Sequence, residues 1–138
     1  MGKTFSLGFL LIGALLISSC ARKLNFGTST VVPAATGNVK IKKDNNDNYI
    51  ISVKIDNLVK ARDLVPPRDV YVVWMETETG TPKNIGQINP STRLFSKKMK
   101  ASLKATATAR PTRIFVTAED YANIQYPGMQ VVLRTEYN

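Results

Sequence analysis

Apolar and polar side chains alternate along residues 49–56, and this period of two limits what the chain can fold into more than any other feature. The apolar residues at positions 51, 53 and 55 share one face of an extended strand. Such alternation is typical of a half-buried β-strand and does not fit a helix. Residues 39–42 alternate in the same way, and the Asn- and Asp-rich residues 44–48 between the two stretches are turn formers. We therefore predict a β-hairpin here.

Further strands are predicted downstream by short runs of β-branched and aromatic residues. Val70–Met75 is the most apolar run and predicts a central strand, on which Trp74 is expected to pack between two sheets. Pro66 and Pro67 exclude a regular strand from the connection before it. Shorter strands are predicted over residues 84–88, 112–117 and 129–135.

The basic segment 94–104 has two interpretations. It fits a short helix or an exposed edge strand, and we favour the strand because charged lysines suit a sheet edge. With this segment the chain has about seven strands, separated by turn signals, and no long helical pattern. These features predict an all-β fold, a single immunoglobulin-like antiparallel β-sandwich.

The amino-terminal segment has a different pattern. Lys3 precedes an uncharged and largely apolar run at residues 5–17. This run is about 13 residues long, shorter than the ~20 residues that span a bilayer as a helix. A positive start, a short apolar run and small residues before position 20 are typical of a signal peptide, here residues 1–19.

The residues Ile17-Ser18-Ser19-Cys20 resemble the lipobox of bacterial lipoproteins. The resemblance implies that the Cys20 thiol carries a diacylglyceryl group, that cleavage occurs just before it, and that the new amino terminus is acylated. Two or three acyl chains would anchor the protein stably, which one chain does not. Ala21 stands where an Asp would favour retention in the inner membrane. The resemblance therefore implies the periplasmic face of the outer membrane if the host has two membranes.

Residues 20–36 lack periodicity and are rich in small and turn-forming residues such as Gly27 and Pro33. We predict a flexible tether there, with a typical reach of about 20–25 Å. The expected organisation is therefore a signal peptide over residues 1–19, the lipidated Cys20 with its tether over 20–36, and a β-sandwich domain over 37–138.

Several segments of the domain carry a second resemblance: Tyr71–Met75, Gly80 with Ile85-Gly86, Ile114–Glu119 and Pro127–Leu133. Their order is similar to that in the extracytoplasmic domain of anti-sigma-K-type factors. The resemblance implies the sandwich fold and an extracytoplasmic location. It does not imply sigma-factor binding, because the signal-peptide-like segment stands in place of that family's sigma-binding segment and membrane helix.

The chain is basic, with a formal net charge of +9, and loss of Lys3 with the signal peptide would lower this by one. The stretch from Arg93 to Arg113 is especially rich in cations. It fits contact with anionic lipid, lipopolysaccharide or another envelope polymer, and it fits a solvated basic face. Phe95 is its only aromatic residue, so single-stranded nucleic acid is not an expected partner. The candidate contact residues are Arg93, Lys97, Lys98, Lys100 and Lys104.

Residue types exclude several metal sites. The chain has no histidine and one cysteine, so it lacks a His/Cys ligand set for zinc or copper and cannot form an intramolecular disulfide. The segment that starts at Asp44 resembles the beginning of an EF-hand loop. Tyr49 and Ile55 stand where that loop needs Gly and Glu, so a plain turn is expected. We expect no metal and no cofactor.

The spacing of the candidate catalytic residues also fails to match known catalytic motifs. The spacing Ser102-x-Lys104, like that of Ser96 and the lysines after it, differs from the Ser-x-x-Lys signature of penicillin-binding proteins. Four carboxylates are candidates for an acid/base pair: Glu76, Glu78, Glu119 and Asp120. Their spacing in the sequence does not by itself place Glu76 or Glu78 near Glu119.

The leading hypothesis from the sequence is a lipid-anchored envelope protein that acts as a non-enzymatic binding or structural module. An alternative is an accessory subunit of an envelope assembly, which would bind another protein through an exposed strand edge. A lipid-anchored hydrolase is the least supported alternative.

Overall fold

The computed structural model describes residues 2, 20–92 and 99–137. Within them the protein is all-β, with one short 3-10 turn at Ala61–Asp63. The strands are β1 (Arg22–Asn25), β2 (Thr36–Lys43), β3 (Tyr49–Asp56), β4 (Val70–Glu76), β5 (Lys83–Ile88), β6 (Lys100–Ala107), β7 (Arg113–Glu119) and β8 (Val131–Arg134).

Two four-stranded antiparallel sheets pack against each other. The first sheet has the order β1-β2-β3-β6 and the second has the order β5-β4-β7-β8. The pairing order is that of an immunoglobulin-like sandwich. In the first sheet β2, β3 and β6 correspond to strands A, B and E, and in the second β4, β7 and β8 correspond to C, F and G. The predicted fold class is confirmed, with β1 as an additional edge strand.

The main core lies between the two sheets. Because β3 alternates, Ile51, Val53 and Ile55 all point inward and are at most 1% exposed. Tyr71 and Val73 of β4 join the same cluster from the second sheet and are fully buried. Burial of an aliphatic side chain of this size contributes about 1.5–3 kcal/mol relative to exposure. The alternation that predicts the hairpin therefore also builds this inner layer.

The chain crosses between the sheets at both sides of the sandwich. After β1, Phe26 forms a bridge with Thr135, which follows β8 in the second sheet. On the other side, Ser91 follows β5 and exchanges two backbone hydrogen bonds with Lys100 of β6. These crossings cover part of each sheet edge, where unpaired backbone groups would otherwise invite pairing with another chain.

The outer face of the second sheet is also buried. Val72 and Trp74 point away from the main core and form a second cluster with Phe115 of β7. Residues of the β7–β8 connection and β8 pack over them, namely Ala122, Ile124 and Val131. We call this surface the covered face.

Trp74 is buried as expected, but the predicted position between the sheets is wrong. Tyr71 and Val73 take the inward positions of β4, and alternation leaves Trp74 on the outer side. Its ring stacks on Phe115 with centroids 6.2 Å apart, and its Nε1–H donates to Thr117 Oγ1 at 2.8 Å. The β7–β8 connection covers Trp74 and buries it, as the facing sheet would if the side chain pointed inward.

The predicted flexible tether is also wrong in its first residues. Arg22–Asn25 forms β1 and pairs along its length with β2. Further along, Ser29 Oγ accepts hydrogen bonds from the backbone amides of Val31 and Val32, and Val32 is buried. Three of the four side chains of this strand are polar, and the single apolar residue, Leu24, displays no period. Backbone pairing with β2, which a local sequence pattern does not display, holds it in place.

The ambiguous basic segment is a strand where the structure describes it. Lys100–Ala107 forms β6 at the edge of the first sheet, so an edge strand is confirmed and extends further along the chain than predicted. Residues 93–98 lie outside the described part. Across the described ranges, no helix has the length and apolar character needed to cross a membrane.

Candidate functional site: a lysine-bearing sheet face beside Cys20

Cross-strand register assembles lysines on the outer face of the first sheet. Directly opposed residues in antiparallel strands project from the same face. Lys23 lies opposite Lys40, Lys40 opposite Ser52, and Ser52 opposite Lys104, so one row crosses all four strands. Neighbouring rows add three more lysines. We call this surface the lysine face, and its lysines are Lys23, Lys40, Lys42, Lys54, Lys100 and Lys104.

These lysines point to solvent because their chain neighbours point to the core. In β2, Val39 and Ile41 are buried, whereas Lys40 and Lys42 between and after them are exposed. The same alternation recurs in β3 and, with smaller side chains, in β6. An antiparallel sheet that packs on a core with one side commonly leaves the other side to water.

The lysine face carries a clear excess of positive charge. Its rows are about 7 Å apart and its strands about 4.8 Å apart, which gives an area of roughly 20 by 15 Å. All six lysines are exposed. Asp56, opposite Lys100, is the one carboxylate that the four strands contribute to this face. Within the described ranges, none of the six lysines forms an ion pair.

Cys20 lies at the start of this sheet. It is exposed, and Ala21 alone separates it from β1. Lys23 follows Cys20 by three residues, a length of chain that spans at most about 10 Å. The first lysine of the face is therefore within that distance of the Cys20 backbone.

We call the end of the sandwich that bears Cys20 the Cys20 end. A shallow cavity of about 420 Å³ lies there, lined by Cys20 and by Arg22, Lys43, Tyr49 and Arg110 among others. Lys43 is paired with Asp47 in the neighbouring hairpin turn at 3.3 Å. The Cys20 end is therefore basic too, but its charges are partly compensated.

The contact residues predicted from the sequence are divided by the structure. Lys100 and Lys104 both lie on the lysine face. Arg93, Lys97 and Lys98 lie outside the described residues. Four lysines of the face were missed, namely Lys23, Lys40, Lys42 and Lys54. Alternation placed the last three on polar sides of their strands, but only the pairing of distant strands brings them beside Lys104.

Asp44 serves the hairpin turn. Its Oδ1 accepts the backbone N–H groups of Asn46 at 2.8 Å and Asn48 at 2.9 Å. The hydrogen bond from the Asn48 amide lowers the pKa of the Asp44 carboxyl. The expected plain turn is confirmed. No cluster of three or more His, Cys, Asp or Glu residues placed to hold a metal occurs in residues 20–92 or 99–137.

The candidate carboxylates do not converge. Glu76 lies opposite Arg113 and Glu119 lies opposite Val70, at opposite ends of the β4–β7 pair. Six residues of strand separate these ends by about 20 Å. Glu119 accepts the backbone N–H of Gly128 at 2.7 Å. This geometry does not provide a general acid and base on the two sides of one bond.

Asp120 is paired with Arg68 near the end of the sandwich opposite Cys20, which we call the far end. The Arg68 Nη1 to Asp120 Oδ2 distance is 3.1 Å, and Arg68 Nε also donates to Gln130 Oε1 at 2.9 Å. A cleft of about 1070 Å³ opens there between residues 30–34, 59–68 and 128–131. Among its lining residues, Arg68 is engaged with Gln130 and Asp120, and Glu119 with the Gly128 amide. The lining also includes the apolar Val65 and Met129.

Comparison with known proteins gives no relatives: no family model, no curated protein and no solved structure matches this chain.

Proposed function

We propose that this chain is a lipid-anchored protein of the bacterial cell envelope, in which the β-sandwich serves as a non-enzymatic binding or structural module. The position of Cys20 carries the proposal. Cys20 is exposed, it precedes β1 by two positions, and it follows a segment that resembles a signal peptide with a lipobox. Every described strand begins after it, so cleavage before Cys20 would leave the sandwich whole.

The position of β1 changes how the proposed anchor would hold the domain. With Arg22 already paired in the sheet, acyl chains on Cys20 would keep the sandwich directly against the bilayer. The proposed location remains the periplasmic side of the outer membrane in a double-membraned host, as the resemblance at Ala21 implies.

A binding role is better supported than catalysis. Enzyme sites are commonly concave, with a few polar groups that converge on one point. The lysine face is an open surface, and at the far end Glu119 and Asp120 are engaged with Gly128 and Arg68. These features give a lipid-anchored hydrolase little support.

Metabolic labelling tests the anchor. The full chain expressed in a double-membraned bacterium with an alkyne-bearing palmitate should become labelled, and its mature amino-terminal peptide should begin at a Cys20 with a diacylglyceryl group on its thiol and an acylated amino terminus. Cys20→Ser should abolish labelling because serine lacks the thiol. Ser18→Ala is the matched control, since it keeps a small residue before the cleavage point and should be labelled normally. Unlabelled wild-type chain, or label retained by Cys20→Ser, would refute the anchor.

The far end favours a second candidate, an accessory subunit that binds another envelope protein. Val65 and Met129 on the rim of the far-end cleft are 94% and 101% exposed. Exposed apolar residues gathered at one place mark protein interaction sites more often than those scattered singly. A photocrosslinking residue at position 129 should trap one discrete protein in intact cells, whereas one at Gln87, exposed on β5, should not. Equal or absent adducts at the two positions would contradict this candidate.

A further inference from the structure

We propose that the lysine face rests on the anionic phospholipid headgroups of the membrane in which Cys20 is anchored. The protein would then bind the bilayer through its sheet as well as through its acyl chains. This inference rests on the proposed acylation of Cys20 and adds the orientation of the domain and the chemistry of its second contact.

Charge complementarity favours an anionic partner. The six lysines are exposed and lack ion pairs within the described ranges, and Asp56 is the only carboxylate among them. Lysine side chains near an anionic membrane surface each strengthen attachment by about fivefold. A twisted sheet is not planar, but the long lysine stems can extend their charged groups to a common plane.

Proximity favours the bilayer over a soluble anion or polymer. Lys23 is three residues from Cys20, and Lys40 is its cross-strand neighbour. Acyl chains on Cys20 would place the headgroups within reach of this row, since three residues span at most about 10 Å. Tethering of this kind makes the second contact intramolecular and raises its effective concentration.

The lysine face is also a better membrane contact than the Cys20 end. At that end Arg22, Lys43 and Arg110 are accompanied by Asp44 and Asp47, and Lys43 is already paired. An upright domain would touch the membrane with these residues and leave the far rows of the face in water. Lys54 and Lys100 lie in those far rows, so they distinguish the two orientations.

Lysine footprinting on vesicles tests the orientation. The protein is expressed from the full chain, purified as the host processes it, and added to vesicles of phosphatidylcholine or of an equimolar mixture with phosphatidylglycerol. Acetylation of each lysine is followed by mass spectrometry. On the anionic vesicles, Lys40, Lys54 and Lys104 should react at least about fivefold more slowly than on neutral ones. Lys60 and Lys83, exposed on other surfaces, should change less than about twofold. Protection should disappear near 1 M salt, where the screening length is about 3 Å.

Two variants of equal net charge provide the matched comparison. Lys40→Glu with Lys54→Glu and Lys104→Glu should weaken the electrostatic contact by at least about 100-fold, since each lysine contributes about fivefold. Lys60→Glu with Arg62→Glu and Lys83→Glu has the same total charge and should bind like wild type. All six positions are exposed, and the ion pair of Arg62 with Asp69 at 3.8 Å is exposed too, so both variants should unfold within a few degrees of the wild-type temperature, which circular dichroism would verify.

Several outcomes would overturn the inference. They are protection of Lys43 without Lys54 and Lys100, equal protection of all lysines, or protection by lipopolysaccharide but not by phosphatidylglycerol vesicles. The intact mass of the same sample reports the lipid on Cys20 separately. If Cys20 carries no lipid, the proposed anchor fails. Co-flotation of that sample with anionic vesicles but not with neutral ones would still show whether the lysine face binds anionic headgroups.

Discussion

The two sheets of this sandwich have outer faces of opposite character. The lysine face of the first sheet is exposed and charged, whereas the covered face of the second is apolar and buried under the chain's own β7–β8 connection. Both sheets have four strands and both contribute to the main core. The difference therefore arises from the sequence of the strands and not from the architecture.

The strand patterns explain the difference. Lys40 and Lys54 occupy the outward positions of alternating strands, so their sheet needs no second cover. Val70–Met75 is buried on both sides, so its sheet needs a cover, and the long connection after β7 supplies it. An unbroken apolar strand thus indicates two buried faces, as in sheets that are covered on both sides.

Removal of the largest side chain of the covered face should have the largest effect. Trp74→Ala should lower the free energy of unfolding by about 3–5 kcal/mol, because it leaves a cavity beneath the covering connection. Lys40→Ala on the lysine face should change it by no more than about 0.5 kcal/mol. Urea denaturation of both variants measures the contrast. A similar small effect in the two would show that the covered face is not a second core.

High pH should destabilise the folded protein through Tyr71, which points from β4 into the core between the two sheets. Burial, together with the charge of Asp63, raises the pKa of Tyr71 to about 12 from its ordinary value of 10.0. Its hydroxyl donates to the Val59 carbonyl oxygen at 2.8 Å. Since the folded protein holds this proton more tightly than the unfolded chain, the stabilisation is complete below pH 10 and is lost as the pH rises through 12.

A shift of this size corresponds to about 2–3 kcal/mol. Unfolding by urea between pH 9 and pH 12 measures it. Tyr71→Phe is the control, because it removes the ionising group while preserving most of the ring packing. Its stability should decline less over this interval, and an identical decline in both proteins would disprove the assignment to Tyr71.

The same chemical substitution on the two outer faces should give different results. Thr117→Val leaves the Trp74 Nε1–H without its acceptor in a buried place, and should cost about 2 kcal/mol. Thr106→Val, on the exposed outer side of β6, should be nearly neutral, within about 0.5 kcal/mol. Thermal unfolding of the pair decides the point, and equal shifts in melting temperature would contradict it.

Local pattern was sufficient for most of the fold. Alternation located β2 and β3, and the apolar run located β4. It could not reveal β1, because the strand at Arg22–Asn25 is held by backbone pairing and has no apolar period. It also could not place Trp74, since in a strand that is apolar at every position the pattern does not say which side faces the other sheet.

For a related reason, only part of the candidate site could be predicted from the sequence. Lys100 and Lys104 stood out in the sequence because they belong to a dense basic stretch. Lys23 and Lys40 are scattered single charges that gain meaning only when β1, β2, β3 and β6 are in register. Similarly, the β7–β8 connection lies between the strands predicted over residues 112–117 and 129–135, but its role as a cover depends on contacts with distant strands.

One of those distant contacts gives the smallest predicted effect. Asn84 Nδ2 of β5 donates to the backbone carbonyls of Ala122 at 2.8 Å and Ile124 at 3.0 Å, and so holds the covering connection down. Asn84→Ala should cost about 1 kcal/mol overall. Its clearer sign should be faster hydrogen exchange and proteolysis within residues 121–126, because local opening requires less energy than global unfolding.

Gln87→Ala is the matched control on the same strand. Gln87 is exposed and lies opposite Val72, so it borders the covered face without holding the connection. Exchange in residues 121–126 should remain at the wild-type rate in this variant, and exchange in β2 and β3 should remain unchanged in both. If Asn84→Ala accelerates exchange equally in the two sheets, the connection is not a separate cover and the contrast between the outer faces weakens. Acceleration confined to the connection would instead show that a few side-chain contacts hold the cover on the covered face. The lysine face has no cover and needs no such contacts.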